Sequence, residues 1–345
     1  MPHGARPTIT LQDVARRAGV SVATASRVLG GSDRPVGRDY RERVLAAASE
    51  LHYVPDAAAR AMRRGSDAVC LLADDMTTPT IALLIAAMER AASAADAFVT
   101  VSSTGGSVAG QLRAIEVARA VRPRALVLTS GRIDAAALGG RLLDALRSYA
   151  DDGGRVVVVG ETDLPFPWIG FDNRGGARTL GRLVAEQGHR RVAVLGGPRG
   201  HFNADERVAG FLEGLADCPA PVTDVRVLPC ELSRSGGHHA ARSLLADGTV
   251  VDVIMAINDL IAIGALAALN AADVPVPEQM SVVGFDDIPL AADVTPRLTT
   301  LALPFQWVGA EAIRRALDTD GEEPEPLRVA GTLVVRQSLR LRDVG

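Results

Sequence analysis

The fold of the N-terminal region is decided by residues 8–29, which read Thr-Ile-Thr-Leu-Gln-Asp-Val-Ala-Arg-Arg-Ala-Gly-Val-Ser-Val-Ala-Thr-Ala-Ser-Arg-Val-Leu. Apolar residues from Leu11 to Ala18 recur at the i, i+3, i+4 and i+7 spacing of one helix face. Thr10 and Asp13 have the spacing of a capping box at the start of this helix. The pattern therefore predicts a first helix that ends near Ala18.

A glycine and a serine separate this helix from a second one. Gly19 can adopt the positive φ that ends a helix, and Ser21 can cap a second helix that runs to Leu29. Two short helices joined by so tight a turn cannot lie antiparallel, so we expect them to cross in helix-turn-helix geometry. The second helix should bury Ala25, Val28 and Leu29. The residues expected on its outer face, which a DNA major groove would meet, are Val22, Ala23, Ser26 and Arg27.

Charge is divided unevenly along the chain. Residues 1–65 carry 11 Arg against 6 acidic residues, a net charge of +5, whereas the remaining residues have a net charge of −9. Three small packed helices without a DNA role are the alternative interpretation. A basic region on an acidic body instead favours a segment that contacts phosphates.

Composition limits the class of protein. At 345 residues with 48% hydrophobic content, the chain is long enough for two or three compact units. It shows no apolar run of signal-peptide or membrane-spanning length, so we predict a soluble, cytoplasmic protein without membrane contact. Cys70, Cys218 and Cys230 lack metal-ligand spacing and are interpreted as reduced thiols. We predict neither a metal nor a cofactor.

After residue 65, short apolar runs alternate with segments of helical period. This alternation predicts parallel strands joined by crossover helices, arranged as two consecutive doubly wound α/β units. The predicted strands are residues 68–73, 98–102, 125–129, 156–160, 191–196, 225–228, 253–257 and 280–284. The predicted helices are residues 81–95, 108–120, 138–149, 174–186, 205–215, 236–245 and 260–270.

Polar residues follow nearly every predicted strand. Because ligands of parallel sheets bind outside the carboxyl ends of the strands, these residues are expected to line a cleft suited to a small polyhydroxyl ligand. They include Asp74, Asp75, Ser103, Thr104, Ser130, Glu161, Glu231, Asn258, Asp259, Asp286 and Asp287.

The N-terminal region closely resembles the DNA-binding headpiece and hinge helix of the lactose/galactose repressor family. The resemblance rests on residues 10–29 and on Tyr53-Val-Pro-Asp-Ala-Ala-Ala-Arg-Ala-Met62, and the opening of the second helix is most similar to the galactose-repressor branch. It implies that Val22, Ala23 and Arg27 touch base edges, and that Met62 takes the place of a hinge leucine inserted into the minor groove. The implied DNA contacts are Thr10, Ser21, Val22, Ala23, Thr24, Ser26, Arg27, Arg60, Met62 and Arg63.

The residue types suit these implied roles. Arg27 can donate two hydrogen bonds to guanine, and a flexible thioether such as that of Met62 can separate a base step. Arg60 and Arg63 can pair with phosphates or enter the narrow groove. Met62 as a core residue of a short helix is the alternative. Departures from the family pattern leave the operator sequence open; they are Ala25 for a usual valine, Gly30 for asparagine, Gly37 for serine and Asp56 for asparagine.

The rest of the chain resembles the same family. Its motifs, in order, are Phe171-Asp-Asn, Gly188-His-Arg-Arg-Val-Ala, Arg207-Val-Ala-Gly-Phe, Ala256-Ile-Asn-Asp, Gly284-Phe-Asp-Asp-Ile and Leu298-Thr-Thr-Leu. The resemblance implies a helix-turn-helix headpiece (residues 1–55), a hinge (residues 56–65) and a periplasmic-binding-protein-like core (residues 66–345). In that core, subdomain 1 comprises about residues 66–167 and 299–325, and subdomain 2 about residues 168–298 and 326–345.

The resemblance also implies a set of effector contacts: Thr80, Ile81, Glu161, His201, Asn203, Asp205, Leu232, Asn258 and Asp286. A cluster of Glu161, Asp205 and Asp286 accepts hydrogen bonds from hydroxyl or amine donors and repels phosphate, so the sequence predicts an unphosphorylated, sugar-like effector. Asp205 as a cap of the helix that runs to Leu215 is the alternative. Asp287 is assigned to structure or subdomain contact.

These features predict a ligand-responsive repressor that binds double-stranded operator DNA as a homodimer and has no catalytic role. Residues 339–345 contain no heptad repeat, which favours a dimer over a tetramer. No P-loop, HExxH or nucleophile-elbow motif is present. The competing class is a periplasmic-type sugar-binding protein without a DNA role, from which the basic headpiece and the lack of a signal-peptide run distinguish this chain.

Overall fold

The computed structural model describes residues 9–29, 36–53, 67–133, 140–219, 222, 224–318 and 324–341. The chain divides into an N-terminal unit and a larger unit. We call residues 9–53 the headpiece and residues 68–341 the core. No helix of the described ranges is long and apolar enough to cross a membrane. Cys70, Cys218 and Cys230 are free thiols.

The described part of the headpiece contains three helices: α1 (Leu11–Ala18), α2 (Val22–Leu29) and α3 (Arg38–Glu50). The predicted capping box is present. The backbone N–H of Thr10 donates to Asp13 Oδ2 at 2.9 Å, and the backbone N–H of Asp13 donates to Thr10 Oγ1 at 3.3 Å. The hydroxyl of Thr10 also donates to Asp13 Oδ2 at 2.7 Å, and this bond, together with the one from the Thr10 backbone N–H, lowers the pKa of Asp13.

Gly19 makes the turn between α1 and α2. Its φ of 65° lies in the left-handed region that glycine adopts without strain. Arg43 of α3 stabilises this turn, since its guanidinium donates a hydrogen bond to the carbonyl oxygen of Ala18 at 2.5 Å. The small core of the headpiece consists of Val14, Ala15, Ala18, Ala25, Val44, Ala47 and Ala48.

The first part of the core alternates strands and helices as predicted. Its elements are β1 (Ala68–Ala73), α4 (Pro79–Ala94), β2 (Phe98–Ser103), α5 (Val108–Val121), β3 (Ala125–Ile133), α6 (Arg141–Asp151), β4 (Arg155–Thr162) and β5 (Trp168–Phe171). Strand β1 is buried along its whole length, as its continuous apolar run predicts.

The second part repeats the alternation. Its elements are α7 (Asn173–Glu186), β6 (Arg191–Leu195), α8 (Phe202–Ala216), β7 (Asp224–Leu228), α9 (Arg234–Ala246), β8 (Val253–Ala256), α10 (Asp259–Ala271), β9 (Ser281–Val283) and α11 (Leu290–Asp293). The chain then forms β10 (Thr300–Ala302), α12 (Phe305–Leu317), β11 (Leu327–Val329) and β12 (Thr332–Val334).

These strands form two parallel sheets and one antiparallel pair. Subdomain 1 is built on a six-stranded sheet of order β11-β5-β4-β3-β1-β2, and subdomain 2 on a four-stranded sheet of order β7-β6-β8-β9. Strands β10 and β12 pair antiparallel at the crossings between them. Helix α12 packs on the subdomain 1 sheet beside α4, with Val308 and Ala312 in the same apolar cluster as Leu84 and Met88.

The predicted subdomain boundaries are wrong by a few residues. Strands β5 and β11 lie within the residues predicted for subdomain 2, yet both hydrogen-bond into the six-stranded sheet. The first and last crossings therefore follow Phe171 and Val329. Strand β10 lies on the subdomain 2 side, through bridges from Thr299 to Val283 and from Ala302 to Asp286, so the chain enters subdomain 1 only at α12.

Candidate functional site

A cavity of about 240 Å³ opens in the core where the carboxyl ends of the strands of both subdomains meet. This is the position at which open parallel sheets bind ligands. Its walls combine carboxylates, amides, hydroxyls and two phenylalanine rings. The lining residues are Asp74, Asp75, Thr78, Thr80, Ile81, Leu84, Thr129, Val159, Gly160, Glu161, Phe171, Asn173, His201, Asn203, Ala204, Arg207, Leu232, Ile257, Asn258, Asp286 and Phe305.

The cavity brings together eight of the nine predicted effector residues: Thr80, Ile81, Glu161, His201, Asn203, Leu232, Asn258 and Asp286. Asp205 is the exception. It is exposed in the first turn of α8 and is not among the lining residues, so its role as an effector contact stays a prediction. The alternative role as helix cap is wrong, because His201 Nδ1 accepts the capping hydrogen bond from the backbone N–H of Ala204 at 3.4 Å.

Arg207 on α8 organises the subdomain 2 wall. Its Nε donates to Asn173 Oδ1 at 2.8 Å, and its Nη1 donates to the carbonyl oxygen of Ile257 at 2.7 Å. Its Nη2 lies 2.9 Å from Asp286 Oδ1, and the side chains of this ion pair are 11% and 9% exposed. The guanidinium also stacks over the ring of Phe285, 4.1 Å from the centroid. One side chain thus joins the start of α7, the residue after β8 and the turn after β9.

Asp286 reaches the cavity from an unusual backbone conformation. Its φ is 110° and that of Asp287 is 55°, so two consecutive non-glycine residues lie in the left-handed half of conformational space. Burial raises the pKa of Asp286, and the guanidinium of Arg207 opposes that rise. Asp287 instead pairs with Arg336, whose Nη1 lies 2.7 Å from Asp287 Oδ1. The two adjacent carboxylates therefore serve different partners.

A buried acid lies behind this turn. Asp259 is inaccessible to solvent; its Oδ1 accepts from Thr300 Oγ1 at 2.6 Å and its Oδ2 from the backbone N–H of Ile288 at 2.8 Å. Burial raises its pKa to about 8, and the charge of Asp286 adds to the rise. At neutral pH Asp259 is therefore mainly a neutral carboxylic acid that fixes the turn carrying Asp286.

Glu161 is also paired with an arginine. Its Oε1 lies 2.7 Å from Nη2 of Arg328 on β11, in an ion pair that is one third exposed on the carboxylate side. Since Asp286 pairs with Arg207, both predicted effector carboxylates in the cavity are neutralised by arginine. The wall is therefore less acidic than the sequence alone predicts.

His201 lies at the N-terminus of α8. The residue is exposed, yet partial burial of its ring lowers its pKa, and Arg207 adds repulsion of the imidazolium. Because Nδ1 accepts a hydrogen bond, the neutral ring carries its proton on Nε2. His201 is thus suited to donate a hydrogen bond to a ligand acceptor.

The headpiece presents the predicted face of α2. Ala25 is buried, and Val28 and Leu29 pack against the same small core. Val22 is 43% exposed, and Ala23 and Arg27 are exposed as well. Ser21 Oγ accepts from the backbone N–H of Thr24 at 3.1 Å, which caps α2. Thr10 and Ser21 are exposed and Thr24 and Ser26 half-buried, whereas Arg60, Met62 and Arg63 lie outside the described residues.

Two family models match this chain. One, described as periplasmic binding proteins and sugar binding domain of LacI family, matches residues 66–336. The other, described as bacterial regulatory proteins, lacI family, matches residues 10–56. The chain belongs to the LacI family. It is accordingly a transcriptional regulator with a DNA-binding helix-turn-helix and a ligand-responsive domain of the sugar-binding type.

Individual LacI-family members cover nearly the whole chain. The regulator CelR of Thermobifida fusca is 32% identical over 370 aligned positions, covering 100% of both chains. The regulator GalR of Salmonella typhimurium strain LT2 is 31% identical over 320 positions, covering 92% of this chain and 91% of GalR. Among solved structures, the lac repressor dimer bound to operator and the anti-inducer ONPF is 26% identical with a TM-score of 0.79, covering 96% of this chain and 99% of that chain. A CelR–cellobiose complex is 29% identical with a TM-score of 0.69, covering 96% and 100%.

Sequence reasoning missed several lining residues of this LacI-family cleft. Arg207 was recognised only as part of a motif, although it lies with Ala204 and Phe211 on the buried stripe of α8, where an arginine needs an acidic partner. Phe171 and Phe305, whose rings pack edge to face at 5.0 Å, come from the crossing segments. Nothing in their spacing indicates that β5 and α12 meet.

Proposed function

We propose that this LacI-family protein is a repressor that binds a pseudo-palindromic operator as a homodimer and is controlled by a small unphosphorylated sugar in the core cavity. The observation that carries the proposal is the presence of a helix-turn-helix with an exposed Arg27 on the same chain as a cavity walled by both subdomains. Since the protein acts on DNA, we propose that it is located in the cytoplasm. We also propose that it has no catalytic role.

The headpiece supports a specific role for each exposed residue of α2. Arg27 can donate two hydrogen bonds to guanine O6 and N7, and Val22 and Ala23 can make apolar contact with thymine methyl groups. Thr10, Ser21, Thr24 and Ser26 carry hydroxyls suited to phosphate oxygens. We further propose Arg60, Met62 and Arg63 as minor-groove contacts at the operator centre.

The cavity supports coupling between ligand and DNA. A sugar that contacts Thr80 and Ile81 in subdomain 1 and Asn258 and Asp286 in subdomain 2 binds most tightly when both walls close on it. Such a ligand shifts the protein towards the closed arrangement. Any effect of the sugar on operator affinity is then matched by an equal effect of operator on sugar affinity.

The apolar faces and hydrogen-bonding groups of the cavity suit a sugar. Phe171 and Phe305 offer ring surface to the C–H face of a pyranose, while amides and carboxylates accept and donate hydrogen bonds. Arg207, which lines the cavity, is paired with Asp286, and Arg328 beside it is paired with Glu161. Among the described lining residues a phosphate would therefore find no unpaired guanidinium, which favours an unphosphorylated effector.

Replacing Arg27 with Ala is expected to weaken binding to the cognate operator by about tenfold to a hundredfold, because a bidentate arginine–guanine contact is worth about 1–3 kcal/mol. Binding to unrelated DNA should change much less. The operator is first obtained by selecting genomic fragments with the wild type, and affinities are measured by fluorescence anisotropy. Arg38→Ala is the matched control, since this α3 side chain is 93% exposed and pairs only with Glu42 among its described neighbours. Equal losses in both variants contradict the assignment.

An effector sugar is expected to raise the melting temperature of the full-length protein. A ligand present at about 100 times its Kd adds about 2.7 kcal/mol to the free energy of unfolding. Thermal-shift measurements with D-galactose, D-glucose, D-ribose and cellobiose, each with and without operator DNA, identify the compound and the sign of the coupling. A protein that binds the sugars but no DNA site would instead fit a periplasmic-type sugar-binding protein.

A further inference from the structure

Asp74 lies in the wall that subdomain 1 contributes to the cavity. It directly follows β1, an internal strand between β3 and β2 of the six-stranded sheet, and it lines the cavity. Two side chains hold its carboxylate, one from the residue after β2 and one from α5. Thr104 Oγ1 donates to Asp74 Oδ1 at 2.7 Å, and Gln111 Nε2 donates to the same oxygen at 3.0 Å.

Both of these donors are buried. Thr104 is 4% exposed and Gln111 6% exposed, so each places a polar group where it costs free energy unless it is hydrogen-bonded. The described residues provide no hydrogen-bond partner for Gln111 Oε1, so the bond from Nε2 to Asp74 is what offsets the cost of burying this amide. Two buried polar side chains are thus committed to one carboxylate oxygen.

The close approach that permits this arrangement is encoded in the sequence. A Cβ at Gly110 would lie 1.8 Å from the carbonyl oxygen of Thr104, so only glycine allows the first turn of α5 to pack against this loop. The backbone N–H of Thr104 also donates to the carbonyl oxygen of Ala73 at 2.9 Å. The position of Asp74 relative to Thr104 and Gln111 is therefore set by rigid elements.

The two carboxylate oxygens of Asp74 differ in their hydrogen bonding. Thr104 and Gln111 both donate to Oδ1, and within the described ranges no hydrogen bond or ion pair reaches Oδ2. Glu161 and Asp286 differ in this respect, because each is paired with an arginine. Asp74 is thus a cavity carboxylate with an oriented oxygen and no arginine partner in the described structure.

We infer that Asp74 is the residue of subdomain 1 that selects the effector, with Oδ2 accepting a hydrogen bond from a ligand hydroxyl or ammonium group while Thr104 and Gln111 act as positioning residues. The inference rests on the proposed function and narrows the ligand class. Neutral sugars and cationic amino sugars provide such a donor, whereas sugar phosphates and sugar acids bring a negative charge towards an unpaired carboxylate.

Asp74→Asn is the sharpest test, because Asn preserves the accepting oxygen for Thr104 and Gln111 and turns the ligand-facing atom into a donor. A hydrogen bond to a charged group is worth about 1.5–3 kcal/mol, so sugar affinity should fall about tenfold to a hundredfold. The panel is D-glucose, D-galactose, D-ribose, cellobiose and D-glucosamine, measured by calorimetry on the full-length protein. A larger loss for D-glucosamine than for D-glucose identifies an ammonium donor, and equal losses identify a hydroxyl donor.

Two further variants separate recognition from general charge or folding effects. Asp96→Asn removes the same charge from an exposed turn before β2, where Asn tolerates the φ of 53°, and should leave sugar affinity unchanged. Gln111→Leu removes one positioning hydrogen bond and should weaken the same sugar about threefold to tenfold. For the deoxy analogue that lacks the contacting hydroxyl, wild type and Asp74→Asn should bind alike, which a merely structural role for Asp74 does not predict.

The possible outcomes are distinct. If Asp74→Asn melts like the wild type and binds the best sugar within twofold of it, the inference is overturned while the proposed function stands. If Asp96→Asn loses as much affinity as Asp74→Asn, the effect is long-range charge and the inference is again overturned. If no compound of the panel binds or stabilises the wild type, the proposed sugar-binding function fails, and the inference that rests on it fails as well.

Discussion

Replacing Arg207 with Met is expected to lower the free energy of unfolding by about 3–5 kcal/mol, because the change leaves the buried carboxylate of Asp286 without its counter-ion. The variant also loses the hydrogen bonds to Asn173 and to the carbonyl oxygen of Ile257. Urea unfolding followed by circular dichroism gives the midpoint, and calorimetry gives the accompanying loss of sugar affinity.

The matched control is the double variant Arg207→Met with Asp286→Asn. A neutral amide does not need a counter-ion, so the double variant should recover a large part of the lost stability while its sugar affinity stays low. If the stability lost in the double variant equals the sum of the losses measured for Arg207→Met and Asp286→Asn alone, the pair is not coupled. That result would contradict the assignment of Arg207 as the counter-ion of Asp286.

Replacing Asp259 with Asn is expected to remove a pH dependence of stability. The pKa of this carboxyl is about 8 in the folded protein because of burial and, second, the charge of Asp286, against an ordinary value of 3.8. Between these values the folded protein holds a proton that the unfolded chain has released. The free energy of unfolding therefore falls as pH rises, by up to about 1.4 kcal/mol per pH unit.

The variant should fold because Asn can donate to Thr300 Oγ1 and accept from the backbone N–H of Ile288. Urea unfolding is measured from about pH 5 to pH 8. Over this range the free energy of unfolding of the wild type should fall by several kcal/mol relative to that of Asp259→Asn. Asp247→Asn, at the exposed end of α9, controls for the loss of one negative charge and should keep the wild-type slope. Parallel curves for wild type and Asp259→Asn would mean that Asp259 is ionised throughout.

Much of the fold could be predicted because the periodicity of the sequence is strong. Continuous apolar runs such as Ala68–Ala73 are buried strands, and the segments between them have helical period. Strands β5, β10, β11 and β12 have only three or four residues each, too few to establish a period. Helix α12 went unpredicted although Val308, Ala312 and Ala316 recur on its buried face.

The sequence predicted most of the residues that line the cavity, but not the ion pairs that they form. Strand-end positions placed Glu161, Asn258 and Asp286 in the cavity because the carboxyl ends of parallel strands share one edge. Their ion pairs were not predictable: Arg207 and Asp286 are 79 positions apart, and Glu161 and Arg328 are 167 apart. Pairing over such distances depends on the crossings between subdomains, which local pattern does not encode.

The left-handed backbone at Asp286 has a consequence for how this protein can be modified. A non-glycine residue held there costs on the order of 1–3 kcal/mol, which the surrounding fold must offset. Glycine would relieve that strain, but it would also leave the buried guanidinium of Arg207 without its counter-ion, and the cost of about 3–5 kcal/mol outweighs the relief. Selection for heat resistance should therefore keep Asp286, and more thermostable descendants of this regulator should differ from it at other positions.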